Sequence, residues 1–176
     1  MLVAAREAAG KRDAIGWSGR LLHIHIAARA SLPMQELEQA MLVTGRGIEG
    51  DRYFSGTGTY SIKPDAREVT LIEMEVLEAI ARGDPPAPGE KVELAPADHR
   101  RNLTTRGVPL NHLVGKRFKV GEAVLIGGRL NFPCRYLEKL LRQPVYTALL
   151  NRSGLNCCIE VGGIIRKGDV IVPLAD

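Results

Sequence analysis

Two stretches of this chain carry residues suited to chemistry, a cysteine beside an arginine (Cys134-Arg135) and the arginine-rich run His99-Arg-Arg-Asn-Leu-Thr-Thr-Arg106. Cys134 lies in Asn131-Phe-Pro-Cys-Arg-Tyr-Leu-Glu-Lys-Leu-Leu-Arg142, after the strand-like Glu122-Ala-Val-Leu-Ile-Gly127 and a Gly-Gly turn. Leu137, Leu140 and Leu141 fall on one helical face, and Pro133 suits a first helical position, where a missing N–H costs nothing. That spacing places Cys134 in the first turn, where the helix dipole and Arg135 favour its thiolate. A thiolate ligates soft metals or attacks sulfur. A lone cysteine near an apolar helix is nevertheless more often a small buried hydrophobe, so Cys134 needs support from other residues.

The arginine run offers some of it. Arg100, Arg101 and Arg106 supply fixed positive charge, and Asn102, Thr104 and Thr105 supply neutral donors, a mixture that suits a phosphate or other oxyanion. Its bland alternative is a solvated basic loop. Gly45-Arg-Gly-Ile-Glu-Gly50-Asp51-Arg52 permits a tight turn or a close approach to a ligand, but it lacks the spacing and following helix of a dinucleotide fingerprint. Asp51 and Arg52 suit an ion pair at a strand end. His23 and His25 alternate with Leu22, Ile24 and Ile26; no third ligand stands near them, so a solvated outer face is expected rather than a metal site.

Elements that would position these groups are short. Strands are expected at Leu21–Ile26, Ala40–Gly45, Arg67–Ile72, Glu90–Leu94, up to Val120, Glu122–Gly127, Leu155–Val161 and Asp169–Pro173. A helix is expected over Glu73–Arg82, with Thr70 and Glu73 matching a capping box unless Thr70 belongs to the strand, and Gly83 and the following prolines ending it. A second helix follows Cys134, and Gln143-Pro144 separates it from a short third one. Nineteen glycines and ten prolines fit a turn-rich chain. The fold class expected is mostly β, a closed or nearly closed antiparallel barrel with two or three short helices inserted. Residues 1–20 are expected to be a flexible tail, and residues 21–176 a single domain.

Composition excludes several functions. A net charge of +4 favours an anionic ligand, yet only three Phe, four Tyr and one Trp occur, scattered among the basic residues. No stacking platform for nucleic acid is visible, so no nucleic-acid partner is expected. No apolar run approaches the ~20 residues of a membrane span, so no membrane partner is expected either. Cys134, Cys157 and Cys158 lack disulfide spacing, which with the missing secretory signal points to the cytoplasm. Cys157 and Cys158 must face opposite sides of one strand and are expected to be packing residues.

Taken in order, Gly47-Ile-Glu-Gly-Asp51-Arg52, Arg67-Glu-Val-Thr-Leu71, Arg101-Asn-Leu-Thr-Thr105, Leu113-Val-Gly115, Pro133-Cys134 and Gly162-Gly-Ile-Ile-Arg-Lys-Gly168-Asp169 resemble the MOSC family. That family is named for the C-terminal domain of molybdenum-cofactor sulfurases, and the resemblance is to its small stand-alone bacterial type. It implies a β-barrel and a molybdenum cofactor, Mo-molybdopterin, with Cys134 as the metal ligand. Arg100, Arg101, Asn102 and Thr104 are implied to hold the pterin and its phosphate. Gly50, Asp51 and Arg52 become a wall of the same site, joined by Arg67 and Arg135, with Asp51 more structural than catalytic, and Asp169 is expected to close a turn. The activity implied is reduction of N-hydroxylated compounds. Electrons would come from a separate flavin or iron–sulfur reductase, because three cysteines cannot hold an ordinary cluster and no flavin or nicotinamide motif is visible. The alternative is a non-redox cofactor or sulfur carrier, with a persulfide on Cys134, working with a cysteine desulfurase or a molybdoenzyme. A nucleic-acid-binding barrel with an inert cysteine is disfavoured by the missing aromatics.

Overall fold

β5 (Val69–Glu73) shows how the molecule is layered, because it is buried on both faces. Val69 and Leu71 point into a barrel interior with Leu21, Ile24, Leu103, Phe118, Leu125 and Ile171. Ile72, on the other face, joins a second core with Leu77, Ile80, Leu137, Val145 and Leu149, against which Cys134 packs. A strand covered on both sides reads as a continuous apolar run rather than an alternation, and each fully buried Leu or Ile contributes about 1.5–3 kcal/mol. The computed structural model describes residues 16–61, 67–84, 86, 88–89 and 91–175.

In chain order the elements are β1 (Gly19–Ile26), β2 (Gln35–Leu37), β3 (Gln39–Val43), β4 (Gly47–Ile48), β5, α1 (Met74–Arg82), β6 (Leu103–Arg106), β7 (Arg117–Val120), β8 (Ala123–Leu130), α2 (Arg135–Leu141), α3 (Val145–Ala148), β9 (Leu155–Val161), β10 (Gly163–Arg166) and β11 (Val170–Pro173). A 3-10 turn, Leu110–His112, precedes β7. Seven strands close a barrel in the order β11-β7-β8-β9-β5-β6-β1, with β1 returning to β11 through Gly19 opposite Ile171. β2 extends the sheet from β1, and β10-β3-β4 form a separate small sheet. Asp169 closes the turn before β11, its carboxylate accepting from the Arg166 N–H at 2.7 Å. Among the described residues no helix is long and apolar enough to cross a membrane.

Mostly β architecture and barrel closure agree with the sequence reading, but the barrel is mixed. β5 and β6 run parallel, Leu71 beside Leu103 and Glu73 beside Thr105. Parallel neighbours need a long crossover, and residues 74–102, which include α1, supply it. α1 buries Leu77 and Ile80 and ends at Gly83 in the left-handed region (φ 70°). The Asp84 N–H then reaches back to the Ala79 carbonyl at 2.8 Å. Thr70 belongs to β5, and no side chain caps α1, so the capping box does not form.

Other expectations change for local reasons. β1 carries a bulge between Leu21 and His23, which breaks the simple alternation. His23 stays at the surface with Glu36 at 2.7 Å, whereas His25 is buried rather than solvated, and burial lowers its pKa. No strand forms at residues 91–95, because the Gln143 side chain takes the role of a neighbour: its amide accepts from the Glu93 N–H at 2.9 Å and donates to the Glu93 carbonyl at 3.1 Å. β8 continues past Gly127 to Leu130 through a second bulge. α2 begins at Arg135, so Cys134 is the extended residue before the helix (φ −137°, ψ 147°) and Pro133 lies outside it. Of the expected tail, residues 1–15 lie outside the described residues, while Gly19 and Arg20 already belong to β1 and Trp17 packs on the barrel core.

Candidate functional site

Thr70 points outward from β5 into a cavity of about 230 Å³ between the barrel wall, the start of α2 and the turns that follow β4. Five arginines line it, Arg52, Arg67, Arg100, Arg101 and Arg129, together with Cys134, and no carboxylate lines it among the described residues. Such a concentration of fixed cations suits an anionic ligand.

Three of these arginines are held by bonds to neighbouring side chains and carbonyls. Asp51, fully buried, accepts from the Ala27 N–H at 3.1 Å, the Tyr53 N–H at 3.0 Å and Arg52 Nη1 at 2.9 Å. Arg52 Nη2 donates to the Arg100 carbonyl at 2.9 Å, and its guanidinium lies 4.5 Å from the Tyr53 ring centroid. Arg100 itself sits in the left-handed region (φ 60°), which turns its carbonyl towards Arg52. Its Nη1 donates to the Leu32 carbonyl at 2.7 Å, while its buried Nη2 has no partner. Arg101 is buried and gives three N–H bonds to Ser153 and His99: Nε reaches the Ser153 carbonyl at 3.0 Å, and further N–H groups reach Ser153 Oγ and the His99 carbonyl. Burial pushes the Arg101 guanidinium down to about 10, and the nearby Cys134 sulfur opposes that fall.

His99 supports this arrangement from beneath. Its Nδ1 accepts from the Arg101 backbone N–H at 2.9 Å, so Nε2 carries the hydrogen and donates to Thr104 Oγ1 at 3.1 Å. Complete burial, with Arg101 close by, holds its pKa well below that of a free histidine. Ser153 reaches Arg101 because Gly154 brings its loop hard against β5. With φ 93°, Gly154 has no Cβ, and one placed there would lie 1.9 Å from the Leu71 carbonyl oxygen.

Around Cys134 the wall is aromatic. Tyr60 hydrogen-bonds to the Cys134 sulfur, and that bond, with burial, pushes the phenol up to about 12. The Arg67 guanidinium stacks 4.8 Å from the Tyr60 ring centroid. Tyr136, on the first turn of α2, bonds to Ser31 Oγ at 2.6 Å. Phe132, 69% exposed, stands at the mouth.

Of the residues the sequence singled out, Cys134, Arg52, Arg67, Arg100 and Arg101 meet in the cavity. The others do not line it. Asn102 is fully buried and ties β1 to β5, its Nδ2 donating to the His25 carbonyl at 3.1 Å and its Oδ1 accepting from Thr70 Oγ1 at 2.9 Å. Thr104 holds His99, Asp51 is a buried scaffold for the Arg52 turn, and Gly50 is the left-handed corner (φ 81°) before it. Arg135 turns away to Glu138 at 2.6 Å and the Tyr146 ring at 4.8 Å. Arg129, Tyr53, Tyr60, Tyr136 and Asn131 were missed. Arg129 follows a bulge that ends the simple alternation of β8, so its direction had no signal in spacing. The tyrosines lie in turns and on a short helix, where periodicity gives no facing.

Residues 58–172 match the family model for the MOSC domain. The chain belongs to the MOSC domain family. That family is associated with the molybdenum cofactor, and the barrel and cavity just described are this member's version of its fold. YuaD from Bacillus subtilis superposes with a TM-score of 0.71 at 21% identity, over 91% of this chain and 100% of that one. YiiM from Escherichia coli gives 0.63 at 20% identity, over 89% and 70%, and YiiM from Geobacillus stearothermophilus gives 0.66 at 11% identity, over 89% and 75%. At these identities the likeness is one of fold. No curated protein matches the chain in sequence.

Proposed function

We propose that the cavity binds the molybdenum cofactor with the Cys134 sulfur as the protein's metal ligand, and that the chain reduces N-hydroxylated compounds. The observation that carries this is a thiol facing a cavity walled by five arginines, with no carboxylate among the described lining residues and a buried Nη2 of Arg100 without a partner. Among the described residues, no three His, Cys, Asp or Glu side chains converge as a metal site. A metal at Cys134 therefore needs ligands of its own, which a pterin dithiolene carries. Arg100, Arg101, Arg52 and Arg67 would hold the phosphate end, where guanidinium binds oxyanions in a bidentate manner.

When bound, the cofactor supplies two-electron oxygen-transfer chemistry, by which R–NHOH with two electrons and two protons gives R–NH2 and water. The chain's own residues set the conditions. Tyr60 donates a hydrogen bond to the Cys134 sulfur, which fixes the ligand's orientation and withdraws charge from it. Tyr136 holds a hydroxyl at the cavity wall, anchored by Ser31, where it can orient a polar substrate. The electrons come from a separate flavin or iron–sulfur reductase.

The test is molybdenum and pterin analysis of protein from a cofactor-competent host, comparing wild type with Cys134→Ser and Arg100→Ala. Stoichiometric molybdenum in wild type, lost in Cys134→Ser, supports the ligand assignment, and loss of pterin in Arg100→Ala supports the anion clamp. Neither metal nor pterin in wild type, despite confirmed supply, sinks the reading. A second reading follows from Cys134 being the one cysteine that lines the cavity, while Cys157 is in the core and its thiol is pushed up by burial. Here Cys134 carries sulfur as a persulfide received from a cysteine desulfurase and passed to a molybdoenzyme. A mass gain of one sulfur atom on Cys134, with no molybdenum bound, selects it.

A further inference from the structure

A second cavity, about 930 Å³, shares no described lining residue with the first. Its wall is largely apolar, built from Trp17, Val108, Leu113 and Leu174. Glu73, the last residue of β5, faces into it. Its carboxyl makes no capping bond to α1, although it stands at that helix's start, and accepts only from its own N–H and that of Leu110.

The charges around Glu73 do not neutralise it. Burial pushes the carboxyl up to about 7, and among the described residues no cation acts on it. Glu75, on α1, adds repulsion and is itself occupied with the Gly107 N–H at 2.8 Å. Arg117, on β7, is paired with Glu160 at 2.7 Å. Lys116 and His112, on the segment before β7, are exposed at the rim. A carboxylate in an apolar cavity without a cation is costly, and a ligand that supplies the cation removes that cost.

We propose that this cavity is a binding site for a small organic ammonium ion with a flat apolar body, its charge paired with Glu73 and its body packed on Trp17. Aromatic rings attract such cations, and a charge-assisted bond to carboxylate fixes their orientation. The site is independent of Cys134 and of the cofactor reading.

Trp17 is the only tryptophan in the chain, so its fluorescence reports directly on the cavity. The experiment titrates the protein with 2-phenylethylamine and with its neutral counterpart 2-phenylethanol, for wild type and Glu73→Gln. The amine should give a saturable change and bind about tenfold more tightly than the alcohol in wild type. Glu73→Gln, which keeps an oxygen acceptor for the Leu110 N–H, should erase that preference. Because the amine needs the ionised carboxylate, the preference should grow as pH rises through about 7. No saturable change, equal affinity for the two probes, or a preference that survives Glu73→Gln overturns the proposal. Should Glu73→Gln fail to fold, wild type alone decides, since a preference that stays flat from about pH 5 to about pH 9 overturns it equally.

Discussion

The two cavities are opposites in charge and alike in incompleteness. Among the described residues, the first gathers five arginines with no carboxylate on its wall, and the second holds a carboxyl on which no cation acts. A protein interior ordinarily pairs its charges, because an isolated one costs several kcal/mol of lost hydration. On the two readings proposed above, the charge that a cavity leaves unneutralised says more about its ligand than its size does. The larger cavity is the more apolar one, yet the smaller carries the denser set of functional groups.

The largest expected effect tests Arg52, which the chain pairs with a buried carboxylate. Asp51→Ala removes three acceptor contacts and leaves Arg52 charged and buried, so urea unfolding should show a loss of about 3–5 kcal/mol. A loss below about 1 kcal/mol would mean that Arg52 is not dependent on Asp51, and that the buried pair does not hold this wall of the cavity. Next comes oxyanion binding. Pyrophosphate at a hundred times its dissociation constant should stabilise wild type by about 2.7 kcal/mol, and much less in Arg100→Ala. Equal stabilisation of both proteins would take Arg100 out of the anion site.

Acidity should then pull the two regions in opposite directions. The Glu73 pKa is raised in the folded state, so its contribution is fully present below its unfolded value and lost as pH rises through about 7. With allowance for partial exposure, that loss is about 2 kcal/mol, and Glu73→Gln should abolish it. His99 has a lowered folded pKa, so the stability it lends the Arg101 support is present above its free value of 6.5 and lost as pH falls. Stability measured against pH in wild type, Glu73→Gln and His99→Gln separates the two. If both variants change the profile in the same sense, the opposition is wrong. The smallest effect belongs to Arg135→Ala. This exposed side chain pairs with Glu138 outside the cavity, so no measurable change in stability or molybdenum content is expected.

Much of the fold was legible because strands with one buried face alternate, as β3 and β7 do. The parallel step from β5 to β6 was not, since it depends on where a long crossover lands. The His25 face was hidden by a bulge, and the missing strand near Val92 by a side chain standing in for a backbone. At the site, charge made Arg100 and Arg101 visible, and the resemblance joined Cys134, Arg52 and Arg67 to them. Asn102 and Thr104 carry donors that looked free for a ligand, but the fold uses them itself. Residue type tells what a group can bind; only packing tells whether it is still available.

The seam between β1 and β11 joins strands from almost the two extremes of the chain. During synthesis, β1 can meet β6 once that strand emerges, but its Gly19 end must wait for β11. Contacts so distant in sequence form slowly and leave a strand edge open in the meantime. The arginine cavity is built from residues that emerge earlier, between Arg52 and Leu137 with support from Ser153. Its groups are therefore present before the barrel that steadies them can close, and a ligand that bridges them would act as an early clamp on the nascent chain.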